Sequence, residues 1–270
     1  MKKNKFLESL KYIALIIICL LSIGPFLSII PTSLQETYTL TGSRNPEFTI
    51  INYIKLFKDT GFLRWILNTL IFAGGVATIK AFIDTWAGYA FARYNFPGSK
   101  WVFNLILISM MLPFAIILYP LFLIVNKLKM VNTYFGLILP ILANPFGIFL
   151  MRQFMLQIPT DIEEAARIDG CSDIGILFKI IMPLSRPGQA VLAIVLFMWQ
   201  WTNLIWPLVV INKKYMYTIT LGLAGIPSQN VIDWGLLTAG AVMSVLPILL
   251  VFLIYQRGFI AGLTMGAVKE

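Results

Sequence analysis

Apolar residues in this chain fall in long unbroken runs. Six runs are long enough to cross a bilayer, at about 12–31, 66–92, 101–125, 134–155, 188–211 and 235–256, because a spanning helix needs about 18 or more such residues. Runs two to four are long and contain Gly or Pro, so tilts and kinks are expected. The polar stretch 32–65 holds a smaller apolar cluster, Phe48 to Phe57, that predicts a short interfacial helix. The remaining connections are short, with one exception. Between spans four and five, residues 159–170 carry Asp161, Glu163, Glu164, Asp169 and Arg167 in an otherwise membranous chain. A charged helix between apolar spans cannot lie in hydrocarbon and must face water or a protein partner. The pattern therefore predicts an all-α polytopic membrane protein of six transmembrane helices. One transmembrane domain covers 1–270, with core spans at about 66–256 and the polar loop at 156–187.

The polar loop carries its own helix signals. Thr160 followed by Glu163 reads as a capping box, just after Pro159. Asp161, Glu163 and Glu164 fall in the first turn, where the helix dipole favours negative charge. Ala165 and Ala166 are strong helix formers whose small side chains admit another surface. Gly170 supplies a left-handed stop. A second short helix is expected over Ile174–Ile181, ending before Pro183, and Pro187 suits the first turn of span five.

Composition narrows the class. Only 12% of residues are charged, about half the usual soluble fraction, which fits a membrane domain. The net charge of +9 needs no nucleic-acid partner, since the basic residues flank the apolar runs and set topology. Lys2, Lys3, Lys5 and Lys11 place the N-terminus in the cytoplasm. Six spans return the C-terminus to the same side, and the polar loop is then cytoplasmic. That assignment puts twelve Lys and Arg inside and eight outside. The basic N-terminus resembles a signal peptide, but the run from Tyr12 to Ile30 is too long and no small-residue cleavage site follows, so a retained first span is expected. Cys19 and Cys171 offer no disulfide framework. The absence of histidine removes the commonest general base and metal ligand. With no nucleophile–base pair, no metal cluster and no phosphate-cradling Gly-x-x-x-x-Gly-Lys-Ser/Thr loop, an enzyme is not expected.

The spacing within the loop is specific. Glu164-Ala165-Ala166, three residues, Gly170, nine residues, Ile180, one residue and Met182-Pro183 resembles the EAA loop of ATP-binding-cassette importer permeases. The family pattern usually ends Leu-Pro, and Met182 keeps that volume and apolarity. Phe91 to Gly98, Met111-Leu112-Pro113, Tyr134 to Pro140, Trp199 to Leu208 and the tail from Gln256 to Thr264 resemble the carbohydrate-uptake branch, the maltose-transporter type with six spans. The resemblance implies a permease subunit that imports a sugar or oligosaccharide, with glycerol-phosphate import as a variant. It implies coupling to ATPase subunits through Glu163, Glu164, Ala165, Ala166, Asp169 and Gly170, and a tail contact at Gly262 and Thr264. The implied partners are a second homologous permease, two cytoplasmic ATPases holding ATP and Mg, and an extracytoplasmic substrate-binding protein. No cofactor is implied for this chain itself, and the location would be a bacterial cytoplasmic membrane.

Two further groups stand out. Lys80 and Asp84 lie inside span two, four residues apart and so on one helix face. Intramembrane charge usually faces a bundle interior or water. The pair reads as a gate or relay, or as a self-neutralising pair that packs spans together. The second is preferred, because a paired Lys–Asp offsets its own desolvation and no chain of further groups is present. A carrier acting alone through this pair would have no use for a coupling helix. Gln200, Asn203 and Asn144 could line a polar cavity on a sugar path, with Trp199, Trp201 and Trp206 nearby for ring stacking. The other reading of these tryptophans is an interfacial belt, which suits Trp206 at the outer end of span five.

Overall fold

The computed structural model describes residues 5–37, 44–226 and 233–265. The apolar runs form helices because hydrocarbon offers the backbone no partners, so each segment must satisfy its own N–H and C=O groups. The chain divides into two compact units, one of residues 1–62 and 222–246 and one of residues 63–221 and 247–270.

In the first unit, α1 (Lys5–Ser33) leads to a short antiparallel pair, β1 (Gln35–Thr37) with β2 (Arg44–Phe48), and then α2 (Ile51–Asp59). The strand pair departs from the all-helical expectation. The segment is polar and lies between helices, so nothing in its periodicity marks it as spanning. Helix α2 forms within the stretch where the Phe48–Phe57 cluster calls for one. Its buried Asn52 donates from Nδ2 to the carbonyls of Ser33 and Gln35, both at 2.9 Å, and so satisfies the end of α1. Gly235, near the start of α14 (Trp234–Met265), packs on that amide, where a Cβ would come within 2.9 Å of Asn52 Cγ. Asp233 caps α14 by accepting from the Leu236 N–H at 2.9 Å.

The second unit holds α3 (Phe62–Arg93), α4 (Ser99–Met110), α5 (Phe114–Lys127), α6 (Tyr134–Leu142), α7 (Phe146–Met155) and α8 (Asp161–Ile168). Helix α9 (Asp173–Ile176) runs through a π-helical turn (Leu177–Ile181) into α10 (Met182–Leu184), one turn past the stop expected before Pro183. Then follow α11 (Arg186–Trp201), α12 (Ile205–Val210) and α13 (Ile219–Ala224). Helices α4 and α5 meet at 103°, and α6 and α7 at 48°. Both breaks precede or include proline, at Met111-Leu112-Pro113 and Ala143-Asn144-Pro145, where the residue before the ring is pushed out of helical geometry. Among the described residues three helices are long and apolar enough to span alone, or up to six if each of three bent pairs is one span, the third pair being 173–184 with 186–201 at 71°.

The two ends of this unit are held separately. At one end, Asn132 Oδ1 accepts from the N–H groups of Asn212 and Lys213 at 2.9 and 3.0 Å, while Asn68 Nδ2 donates to the carbonyls of Tyr215 and Tyr217. At the other, Arg93 and Arg152 tie the end of α3 to the loop after α7 and to α7 itself. Connections 128–133 and 211–218 therefore share one end, and turns 94–98 and 156–160 share the other. Between them lies a core of Phe72, Val76, Leu137, Val210 and Trp206. Trp206 is not a belt residue. Its ring is fully buried, and its indole N–H donates to the carbonyls of Gly136 and Leu137 at 3.2 Å each.

Candidate functional site

Helix α8 is the middle of the polar loop, and its two faces differ. Glu163 and Ala166 are buried, while Asp161, Glu164, Ala165, Ile168 and Asp169 are exposed. Positions 161, 164, 165 and 168 share one face by helical spacing. Of the residues expected at the coupling contact, Glu164, Ala165, Asp169 and Gly170 look outward, and Glu163 and Ala166 do not. The reason is chemical. The Glu163 carboxylate accepts from Tyr89 Oη at 3.0 Å and from Arg93 Nε at 2.5 Å, and Arg93 also donates to the Ile158 carbonyl at 2.6 Å. Glu163 thus fastens α8 to the end of α3. The expected capping box does not form: Thr160 has helical backbone angles, φ −66° and ψ −29°, and makes no side-chain cap, and the Glu163 carboxylate is committed to Arg93 and Tyr89.

The end of α8 follows expectation. Gly170 has φ +82°. Its N–H meets the Arg167 carbonyl at 3.0 Å, and the Cys171 N–H meets the Ala166 carbonyl at 2.9 Å, the paired bonds of a Schellman stop. Ser172 then caps the next helix through the Gly175 N–H. Arg167 and Asp173 bridge the bend at 2.7 Å on the surface, and the neighbouring carboxylate pushes the guanidinium pKa up. Two exposed isoleucines, Ile168 at 87% and Ile174 at 71% accessibility, flank the bend outside any apolar span. Sequence reading passed over them because isoleucine is unremarkable in an apolar chain. Their offset from the inward positions 163 and 166 was the available signal. Phe178, on the π turn, packs edge-on against Trp86 of α3 at 5.4 Å. Cys19 and Cys171 are both free. Gly262 and Thr264 lie in the last turns of α14, where the side chains fall outside the described residues.

Lys80 and Asp84 are buried to 0% and 1% accessibility and 2.9 Å apart. The Lys80 ammonium also donates to the carbonyls of Leu142 and Asn144 at 3.1 and 2.5 Å. It therefore satisfies backbone acceptors freed where α6 stops and α7 begins, a requirement wherever a helix breaks at membrane depth. Asp84 lies against Gly147, leaving no room for a Cβ there. One turn further along each helix, a Cβ on Gly88 would come within 2.7 Å of Met151 Cβ and 2.8 Å of the Arg152 backbone nitrogen. Small residues let α3 and α7 approach closely along this line.

Beside the break lies a cleft of about 630 Å³ that brings together Asn144, Gln200 and Asn203, with Phe146 and Trp199 on its wall. The Phe146 and Trp199 rings are 4.8 Å apart between centroids. Asn144 Oδ1 accepts from the Phe146 N–H, Asn203 Oδ1 accepts from the Trp206 N–H, and Asn203 Nδ2 donates to Gln200 Oε1. The three amides expected on a sugar path come from separate places: Asn144 from the break between α6 and α7, Gln200 from the end of α11, and Asn203 from the turn between α11 and α12. Trp201 does not line the cleft; it is buried and stacks on Phe197, with ring centroids 5.4 Å apart. Among the described residues no group of three or more His, Cys, Asp or Glu could hold a metal ion.

Comparison with known proteins places the chain in a class. The family model described as binding-protein-dependent transport system inner membrane component matches residues 85–259. The chain belongs to this family, whose members are membrane components of importers. It is 36% identical over 275 residues to the arabinooligosaccharides transport system permease protein AraQ of Halalkalibacterium halodurans, covering 99% of both. It is 34% identical over 207 residues to the sn-glycerol-3-phosphate transport system permease protein UgpE of Brucella abortus, covering 74% of this chain and 72% of the relative. The fold matches a chain from the crystal structure of a bacterial ABC transporter involved in the import of the acidic polysaccharide alginate. That match has TM-score 0.80 and 22% identity, over 96% of this chain and 98% of the other.

Proposed function

We propose that this chain is the permease subunit of an ATP-driven importer that moves a sugar or oligosaccharide into the cytoplasm. Helix α8 is the element that docks on a cytoplasmic ATPase. The observation that carries this reading is the division of α8 into two faces. Glu163 is committed inward to Arg93 and Tyr89, so a push on the outward face is delivered to α3. Glu164, Asp161 and Asp169 offer carboxylates to a basic partner surface, Ala165 permits close approach, and Ile168 and Ile174 supply the apolar contact that a partner would bury. The assembly needs a second homologous permease, two ATPases that hold ATP and Mg, and an extracytoplasmic binding protein. Asn144, Gln200 and Asn203 lie on the substrate path. Import of a glycerol-phosphate compound is the alternative, and the UgpE relative supports it.

The test is purification of the tagged chain from its own membrane in mild detergent. Recovery of an ATPase and a second permease, lost on Glu164→Lys, is the expected result. Recovery of the chain alone, still transporting after reconstitution without ATP, would sink the coupling assignment.

A further inference from the structure

The break between α6 and α7 surrounds one atom with oxygen. Lys80 Nζ lies 3.1 Å from the Leu142 carbonyl, 2.5 Å from the Asn144 carbonyl, 3.2 Å from Asp84 Oδ1 and 2.9 Å from Asp84 Oδ2. An ammonium has three protons to donate, and here it faces four oxygens. The first three contacts are hydrogen bonds. Asp84 Oδ2 is buried and, among the described residues, receives no hydrogen bond. It meets the ammonium as an ion only. A shell with more oxygens than donor protons is the coordination of a spherical cation, in which distance counts and direction does not.

The shell follows from the way the helices break. In an unbroken helix the Leu142 carbonyl would accept from the Phe146 N–H four residues on, but that N–H goes to Asn144 Oδ1. Leu142 closes α6, so its carbonyl also lies at the negative end of the helix dipole. Asn144 sits between the two helices, and its carbonyl turns to the same point. Gly147 gives Asp84 room to close the remaining side, since a Cβ there would overlap the carboxylate. Unwound carbonyls and helix C-terminal ends are the groups with which discontinuous membrane helices hold monovalent cations. The single carboxylate gives the shell one negative charge, which one such cation balances.

We propose that the α6–α7 break is a monovalent-cation site, that the chain fills it permanently with its own Lys80 ammonium, and that a free ammonium or potassium ion takes the place when the side chain is cut back. Lys80 is thus a positioning residue that acts as a tethered ion. An attached occupant cannot exchange, so the break keeps its shape whatever salt bathes the membrane. A free ion has a way in once the side chain is shortened, because Asn144 also lines the cleft of about 630 Å³.

The experiment follows thermal unfolding of the complete transporter in detergent, in the chloride salts of potassium, ammonium and choline at equal ionic strength. Choline is too large for the shell. The unmodified complex should melt at one temperature in all three. Lys80→Ala should melt about 5–10 °C lower in choline and should recover most of that shift, saturably, in ammonium or potassium. Lys80→Met keeps the space filled and should melt low in all three salts. Lys80→Ala with Asp84→Asn removes the charge and should lose the dependence on the cation. Equal melting of Lys80→Ala in the three salts would overturn the proposal. Recovery of Lys80→Met to the same degree would overturn it too, since that marks general screening. Where Lys80→Ala does not survive extraction into choline, intact complex should be obtained in ammonium chloride. Its absence from all three salts, while Lys80→Met with Asp84→Leu is recovered, would also overturn the assignment.

Discussion

Replacing Glu163 by glutamine removes one charge from a buried pair and changes almost no volume. The Glu163 and Arg93 side chains are 7% and 9% accessible, and Arg93 would be left with the Ile158 carbonyl as its remaining partner. Hydrogen bonds to charged groups contribute about 1.5–3 kcal/mol each, and breaking a buried pair from one side costs about 3–5 kcal/mol. Glutamine keeps one acceptor for Arg93 or Tyr89, so the loss should sit at the lower end, about 3 kcal/mol of the anchoring of α8. At about 1.4 kcal/mol per decade that is roughly a hundredfold rise in the open population of the loop. Hydrogen exchange of the assembled transporter reads this directly. Amides of residues 161–169 should exchange roughly a hundredfold faster, while those in the middle of α3 should not change. Uptake per ATP hydrolysed should fall in the same variant. Arg93→Met should give a similar loss, and the double variant should cost less than the two singles added, with a coupling energy of at least about 1.5 kcal/mol. Unchanged exchange over 161–169, or strictly additive losses, would refute the anchoring argument.

Other expectations follow the same physics. Lys80→Met leaves Asp84 buried without its partner and should lower stability by about 3–5 kcal/mol, whereas Lys80→Met with Asp84→Leu should cost clearly less. Thermal unfolding in detergent compares them, and equal damage would favour a direct transport role for the pair. Gly170→Val forces a β-branched residue to φ +82°, at about 1–3 kcal/mol of strain, and should lower uptake per ATP. Full uptake with normal coupling would remove Gly170 from the docking element. Gly88→Val drives a side chain into the Arg152 backbone and should abolish the folded complex, measured as recovery from size exclusion, while Gly74→Val, where nothing lies within 4 Å, should be tolerated.

What the sequence discloses here depends on how local each interaction is. Apolar runs report spans directly, and Lys80 and Asp84 advertise their pairing through four-residue spacing on one helix. Gly170 announces a stop that needs only its own neighbours. Asn144, Gln200 and Asn203 were identifiable because amides are rare in apolar segments. The function of Glu163 was not legible, because Arg93 lies 70 residues away and nothing near Glu163 predicts it. Local pattern instead suggested a capping box, but Thr160 is itself helical and the Glu163 carboxylate is taken by the longer-range ion pair. Trp206 read as a belt residue from its place near a span end, and only tertiary packing reveals its indole on the α6 carbonyls. The strand pair at 35–48 was equally silent, since three and five residues carry too little alternation to register.

Helix α3 is continuous from the cleft side of the molecule to the polar loop. Lys80, at the break, and Arg93, at α8, are thirteen residues apart on it, about 20 Å at 1.5 Å per residue. That distance is about two-thirds of the hydrocarbon thickness of a bilayer. If α8 docks as proposed, a displacement there reaches the α6–α7 break through one rod of covalent and intrahelical bonds, with ion-paired joints at its two ends and close packing on α7 at Gly88 between them. Such a linkage has little slack and a short stroke. Sensitivity to substitution should concentrate at the joints, Tyr89–Arg93–Glu163 and Lys80–Asp84, and at Gly88, while the exposed positions Ile79 and Ile83 are free to vary with the lipid or subunit that covers them.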